Sequence, residues 1–251
     1  MIKRILIPVL LCAALINNAT KVRAQVFKVE SFDGTRGEIK VKPIDSHGIL
    51  KILYLKNVIN VSDVNYIKSA KRLNKHFIKV VYAVRAGVGM ELLHTLILSI
   101  DTKKLYQSMH ITSFFEENFI DFSKPVDTAN MVDVHSIYNV SLAFFDSRHQ
   151  GGKVKIKIHD ERSSKHNTGD DFKRDTALVL NFDVNRHIFY DSLKSISQNF
   201  TVYNAKTNNE SKKYISGTYP SMHFSQNVYY YIKGEWYERD IYGNLSGFTY
   251  R

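Results

Sequence analysis

Seven residues in one short span carry side chains that could bind a metal or move a proton: His149, His159, Asp160, Glu161, His166, Asp170 and Asp171. Imidazole and carboxylate together are what a zinc or other divalent site needs. Their spacing matches no ligand pattern, and the run from Asp160 to Asp175 is the most loop-like in the chain, so it reads first as a solvated polar loop. Paired carboxylates are the second chemistry to weigh, because glycoside hydrolysis needs two carboxyl groups about 5 to 9.5 Å apart in space. Asp101 and Asp183 each close an apolar run and fit turns better. Glu116 and Glu117 sit among Phe114, Phe115 and Phe119, where burial would raise a carboxyl pKa, although an exposed acidic bend is the commoner arrangement. The chain has no Gly-x-Ser-x-Gly elbow, Ser-x-x-Lys, phosphate loop, His-Glu-x-x-His or EF-hand loop. No residue is therefore assigned to catalysis, and neither a metal nor a cofactor is expected.

Two constellations suit binding instead. If residues 63 to 77 are helical, Tyr66, Ile67, Ala70, Leu73 and Phe77 share one side while Lys68, Lys71, Arg72 and Lys75 form a basic stripe on the other. Such a stripe could grip an anionic polymer, and its plainer role is a solvated outer face. From Tyr219 to Tyr250 the chain is dense in aromatics, and Val228 to Arg239 reads as a hairpin turning at Lys233-Gly234. A two-residue turn pairs Tyr231 with Trp236 and Tyr230 with Tyr237, which puts Tyr229, Tyr231 and Trp236 on one face and Tyr230 and Tyr237 on the other. At least one set must be buried. The first set is the candidate ligand platform, because rings on a rigid sheet can stack on sugars or anchor a protein interface.

The elements that would hold these residues are strands. Lys153 to Ile158 alternates lysine with Val154, Ile156 and Ile158, and Glu38 to Lys42 repeats the pattern on a smaller scale. Residues 49–61, 77–84, 92–100 and 177–182 are richer in Val, Ile and Leu and read as interior strands. A shorter helix is expected at Phe189 to Phe200. Leu96 to Ser108 and Leu178 to Ser192 echo each other: an apolar strand, an Asp turn, then a return strand carrying Tyr-x-Ser. A duplication or convergent turn chemistry would each explain the echo. The fold class expected is mainly β, with antiparallel sheets packed as a sandwich or as two similar small domains (25–125 and 126–251), and one amphipathic helix near 63–77.

Composition narrows the setting. Apolar residues make up 44% and charged residues 24%, which excludes a mainly disordered or collagen-like chain. Lys3 and Arg4 precede the apolar run Ile5 to Ile16, and the segment closes on Val22-Arg23-Ala24, so residues 1–24 read as a signal peptide cleaved before Gln25. Losing Lys3, Arg4, Lys21 and Arg23 lowers the formal charge from +11 to +7. Cys12, the one cysteine, falls in that leader, so the mature chain would carry no thiol for a disulfide or a nucleophile. The expected function is an exported, non-catalytic envelope or extracellular binding protein, periplasmic or released, whose partner is a glycan, an anionic polymer or another envelope protein. A secreted hydrolase with a carboxylate or His-carboxylate site is the principal alternative, and a small outer-membrane barrel the third. No transmembrane helix is expected in the mature chain, nor specific nucleic-acid binding, and the oligomeric state is open.

Overall fold

The computed structural model describes residues 24–87, 90–121, 132–145, 152–164, 170–204, 209–225, 227–239 and 243–248. The leader with Cys12, and His149, His166 and Tyr250, lie outside them. Three antiparallel sheets make up the fold. The first is β1 (Gln25–Glu30), β2 (Arg36–Val41), β3 (Leu50–Tyr54) and β4 (Asn57–Val61). The second, eight strands wide, runs through β5 (Val64–Arg72), β6 (Ile78–Val84), β7 (Met90–Ile100), β8 (Leu105–Asp121), β9 (Val132–Phe145), β10 (Lys153–Ser164), β11 (Phe172–Asp183) and β12 (Ile188–Tyr190). The third is β13 (Ser192–Asn204), β14 (Asn209–Phe224), β15 (Asn227–Ile232), β16 (Glu235–Arg239) and β17 (Leu245–Gly247). In every sheet each strand pairs with its neighbour in sequence.

The period-2 segments fold as their side chains require. In β10 the lysines at 153, 155 and 157 are exposed while Val154, Ile156 and Ile158 are buried, the pattern of a strand with one wet face. The helix expected over 63–77 is instead β5 and the turn at 73–77 that leads into β6. The cause is two irregularities in the β5–β6 pairing, between Val64 and Tyr66 and between Ile67 and Ser69. Each bulge adds one residue to the outer side of the strand. Val64, Ile67 and Ala70 therefore face the core at intervals of three, a spacing that imitates a helix. The helix expected at Phe189 to Phe200 is likewise absent: β12 ends at Tyr190 and β13 begins at Ser192. Asp191, between them, donates its N–H to the Ser221 carbonyl. Among the described residues no helix forms, and none is long and apolar enough to cross a membrane.

Two large cores flank the second sheet. The first sheet packs on β5 to β7 through Ile39, Leu50, Ile52, Val80, Leu96 and Leu98, all essentially inaccessible. The other core joins Ile97, Met109 and Ile111 to β9 to β12 and to Met222, Phe224, Tyr229 and Trp236 of the third sheet. β8 makes this possible by serving two leaves: residues 105–117 pair with β7, whereas only 114–121 pair with β9. The two leaves thus separate on the N-terminal side of Phe114, where the Gln107 carbonyl meets Trp236 of the third sheet. The β8–β9 pairing also carries one continuous sheet across the boundary expected between two similar halves. A smaller core of Ile196, Ile215, Tyr230, Ile232 and Leu245 fills the inside of the third sheet, whose last strand returns against its first.

The sequence echo resolves into two hairpins of one sheet. Asp101 Oδ1 accepts from the N–H groups of Lys103 and Lys104, and Asp183 Oδ1 accepts from those of Asn185 and Arg186. In each hairpin the Tyr of the return strand donates to the other carboxylate oxygen, Tyr106 at 2.6 Å and Tyr190 at 3.5 Å. The two turns meet in space, with the Tyr106 and His187 rings stacked 4.2 Å apart.

Candidate ligand-binding cleft

The aromatic hairpin has the register its sequence implies: Tyr231 opposite Trp236, Tyr230 opposite Tyr237, Tyr229 opposite Glu238. Lys233 and Gly234 both have positive φ, 50° and 94°, as the tight primed turn demands. Both faces of the hairpin, however, are used for packing. Tyr229 and Trp236 are 0% and 1% exposed in the large core, with Tyr231 half-buried against it, while Tyr230 is buried in the small core and Tyr237 packs against it. The expected platform of Tyr229, Tyr231 and Trp236 is thus a packing surface, and Trp236 donates its indole N–H to the Gln107 carbonyl at 2.8 Å. A hairpin interior to its sheet with rings on both faces has apolar area to cover on each side, and the two cores cover it.

Three of the four basic residues of β5 and its turn have partners of their own. Lys68 lies 3.6 Å from Glu91 and above the Phe114 ring, Lys75 pairs with Glu30 at 2.8 Å, and Arg72 donates to the Lys28 carbonyl. Lys71 stands opposite Lys79, whose pKa is lowered by burial and then by the Lys71 charge. Among the polar-loop residues, His159 bridges Asp175 at 2.9 Å and Glu161 at 3.2 Å on the surface of β10 and β11. Among the described residues no group of three His, Cys, Asp or Glu side chains is arranged to hold a metal.

What the fold does assemble is a cleft of about 750 Å³ between the second sheet and the last strands of the third. Its floor follows the pairing across the sheet: Tyr82 on β6 stands beside His94 on β7, which stands beside Thr112 on β8. Tyr138 on β9 and Asp160 on β10 continue the row. The roof is Asn227, Glu238 and the segment Ser246 to Phe248. Asp63, Arg85 and Arg162 bring charge to the lining, and Phe115 and Phe172 bring rings.

The floor and roof are joined by polar groups. The Glu238 carboxylate accepts from the Thr112 hydroxyl at 2.8 Å and from the Tyr229 hydroxyl at 3.0 Å. The Asp160 carboxylate accepts from the Ser225 hydroxyl at 3.1 Å. Beneath them His110 lies fully buried, bonded to Tyr82 at 2.6 Å and to Gln107 at 3.1 Å. Burial pushes the His94 imidazole down to about 4 and that of His110 well below its ordinary value, so both are neutral donors and acceptors at neutral pH. Burial likewise raises the phenols of Tyr138 and Tyr229, with the Glu238 carboxylate adding to the effect in both. At neutral pH His94, His110, Tyr138 and Tyr229 are thus neutral hydrogen-bonding groups, held away from proton exchange by burial.

Of the residues lining this cleft, the sequence draws attention only to Asp160, within the polar run, and to Phe115, beside the Glu116–Glu117 pair. The signal available was polar residues interrupting apolar strands: Tyr82 in 77–84, His94 in 92–100 and Asp160 at the end of the alternating β10. The expected Asp101 and Asp183 turn roles are what the structure shows. Comparison of the chain with protein-family models, with curated proteins and with solved structures finds no match.

Proposed function

We propose that this chain is an exported binding protein that takes a small molecule into the cleft between β6–β10 and the β15–β17 roof. One observation supports this above the others: a cavity of about 750 Å³ whose lining alternates rings with neutral and charged hydrogen-bonding groups. That size and composition are those of small-molecule sites, which are largely apolar with a few placed polar groups. Tyr82, Phe115, Tyr138 and Phe248 would contact a ring or apolar body, and Asp63, Arg85, Asp160, Arg162 and Glu238 would bond polar ends of either charge. The leader-like first 24 residues support placing the protein outside the cytoplasm.

A hydrolase is the second reading, favoured by the presence of two carboxylates, Asp160 and Glu238, in the same cleft. Both are already engaged within the fold, Asp160 by the Ser225 hydroxyl and Glu238 by those of Thr112 and Tyr229, which gives each a structural role that needs no substrate. An outer-membrane barrel fits less well, since the outward positions of β10 are lysines where lipid would require apolar side chains.

The chain from Gln25 contains every described strand and is the species to test. A thermal-shift screen of small ring compounds should raise the unfolding midpoint of the wild type saturably. Ser136→Trp, which fills the cleft from β9, should abolish the shift. A compound that shifts both proteins equally binds elsewhere, and that result would overturn the assignment. Conversion of the compound, lost in Asp160→Asn or Glu238→Gln, would replace binding by hydrolysis.

A further inference from the structure

The outer face of β9, β10 and β11 carries a patch that the cleft does not use. On β10, Lys153, Lys155 and Lys157 all point outward and are exposed. Alternate residues of one strand stand about 6.7 Å apart, so the three ammonium groups form a line. The pairing register sets their neighbours. Phe145 and Asn181 flank Lys153, Ala143 and Val179 flank Lys155, and Ser141 and Ala177 flank Lys157. All of these are exposed, and none is a carboxylate. Past Lys157, acids enter in the next two rows, where Asp175 and Glu161 sit with His159 and Lys173. None of the three lysines has an ion pair among the described residues.

Two further facts decide what kind of partner this suits. Phe145 and Val179 are 53% and 54% exposed, and they sit on opposite sides of β10 with Lys153 and Lys155 between them. The remaining flanking side chains, Asn181, Ala143, Ser141 and Ala177, are small, so the lysines and the phenylalanine are the longest side chains of the patch. A soluble polyanion would account for the lysines and leave the exposed ring and valine unexplained. A bilayer with anionic headgroups accounts for both, because lysines meet the headgroup charge while apolar side chains enter the acyl boundary.

We infer that the Lys153–Lys155–Lys157 face of β9–β11, with Phe145 and Val179, docks this protein on the surface of a lipid bilayer rich in anionic headgroups. The attachment is peripheral and reversible: three lysines and two apolar side chains are far weaker than an inserted segment. It is also salt-sensitive, since exposed charges are screened beyond about 10 Å at 0.1 M salt.

The test uses the chain from Gln25 and co-sedimentation with vesicles of phosphatidylcholine containing 0 or 40% phosphatidylglycerol. Binding should require phosphatidylglycerol and weaken as salt rises. Each lysine contributes about fivefold to the partition coefficient, so the triple variant Lys153→Gln, Lys155→Gln, Lys157→Gln should lose on the order of a hundredfold. A charge-matched control, Lys28→Gln, Lys40→Gln, Lys42→Gln on the first sheet, should lose much less. The substitutions are all at exposed positions, and equal melting temperatures will show that each variant folds. Phe145→Trp adds a reporter whose emission should shift to the blue on vesicles. Equal losses from the two triple variants would reduce the effect to net charge and overturn the proposal. So would binding to soluble polyphosphate through the same lysines without binding to vesicles, which would make the face a polyanion track.

Discussion

Tyr82 and His110 share a 2.6 Å hydrogen bond between the phenol oxygen and Nε2, and the Phe248 ring stacks 4.3 Å from the same imidazole. With the Gln107 amide oxygen accepting from Nδ1–H, Nε2 is left to accept from the Tyr82 hydroxyl. This fixes a neutral tautomer. The arrangement ties the cleft floor, β6 and β8, to the roof segment that follows β17, and it does so through a group that acid would charge.

Stability should therefore fall on mild acidification. Burial holds His94 down to about 4 and His110 well below its ordinary value, while in the unfolded chain both titrate near 6.5. Between those values the unfolded chain binds protons that the folded chain does not, so unfolding becomes easier as pH drops from about 6.5 towards 4. Each buried histidine contributes a slope of about 1.4 kcal/mol per pH unit in that window. Urea midpoints at pH 7.5, 6.0 and 5.0 measure the slope, and His94→Leu should remove about half of it. A flat profile down to pH 5 would show that the two imidazoles are not buried neutral.

Trp236 offers an optical check on the packing of the third sheet. Its emission should be blue-shifted and poorly quenched by iodide, in keeping with its 1% exposure. Trp236→Phe keeps most of the ring contact but leaves the Gln107 carbonyl without its donor, at a cost of about 1–3 kcal/mol. Trp236→Ala should cost about 3–5 kcal/mol in the same urea titration. A red emission maximum would refute the buried placement.

Gly37 should resist even the smallest side chain. A Cβ there would lie 2.5 Å from Tyr54 Cε2 and 3.1 Å from Ile100 Cδ1, and Tyr54 is buried and bonded to the Asp101 carbonyl. Gly37→Ala must displace that ring, so a loss of about 1–3 kcal/mol is expected. Gly34→Ala is the comparison, because nothing lies near its Cβ position and only its φ of +89° opposes the change.

Asp101 and Asp183 perform the same task with unequal reinforcement. Asp101 takes two backbone donors at 2.7 and 2.6 Å and the Tyr106 hydroxyl at 2.6 Å. Asp183 takes its backbone donors at 2.9 Å and is held mainly by Arg186 on the surface. Asp101→Ala should cost about 1–3 kcal/mol and Asp183→Ala less, because a surface ion pair contributes little. Equal losses would mean that the Tyr106 bond adds nothing.

Alternation made β10 and the C-terminal hairpin legible down to the residue pairs, because a half-buried strand imposes its period on the chain. The same reasoning failed at β5, where two bulges turned a period of two into a spacing of three between Val64, Ile67 and Ala70. Burial of the hairpin was only half legible. One aromatic face had to be covered, and it took the third sheet's small core, with Leu245 returned against β13, to cover the other. The cleft was illegible for a different reason. Thr112 and Glu238 are 126 positions apart and meet only because the third sheet docks on the second. Nothing local in either segment records that meeting.

Each strand among the described residues pairs with a sequence neighbour, so only the loop between the two has to close before their ladder can form. Closing a short loop costs little chain entropy, and local pairings bring a polypeptide together faster than distant ones. An all-β chain of this length would ordinarily be held back by strands that must wait for far-off partners. Here each sheet can zip from hairpin to hairpin in the order of the chain. Docking of the third sheet on the second joins distant parts of the chain, so the Trp236 indole and the Glu238 carboxylate report on that long-range step and not on the hairpins.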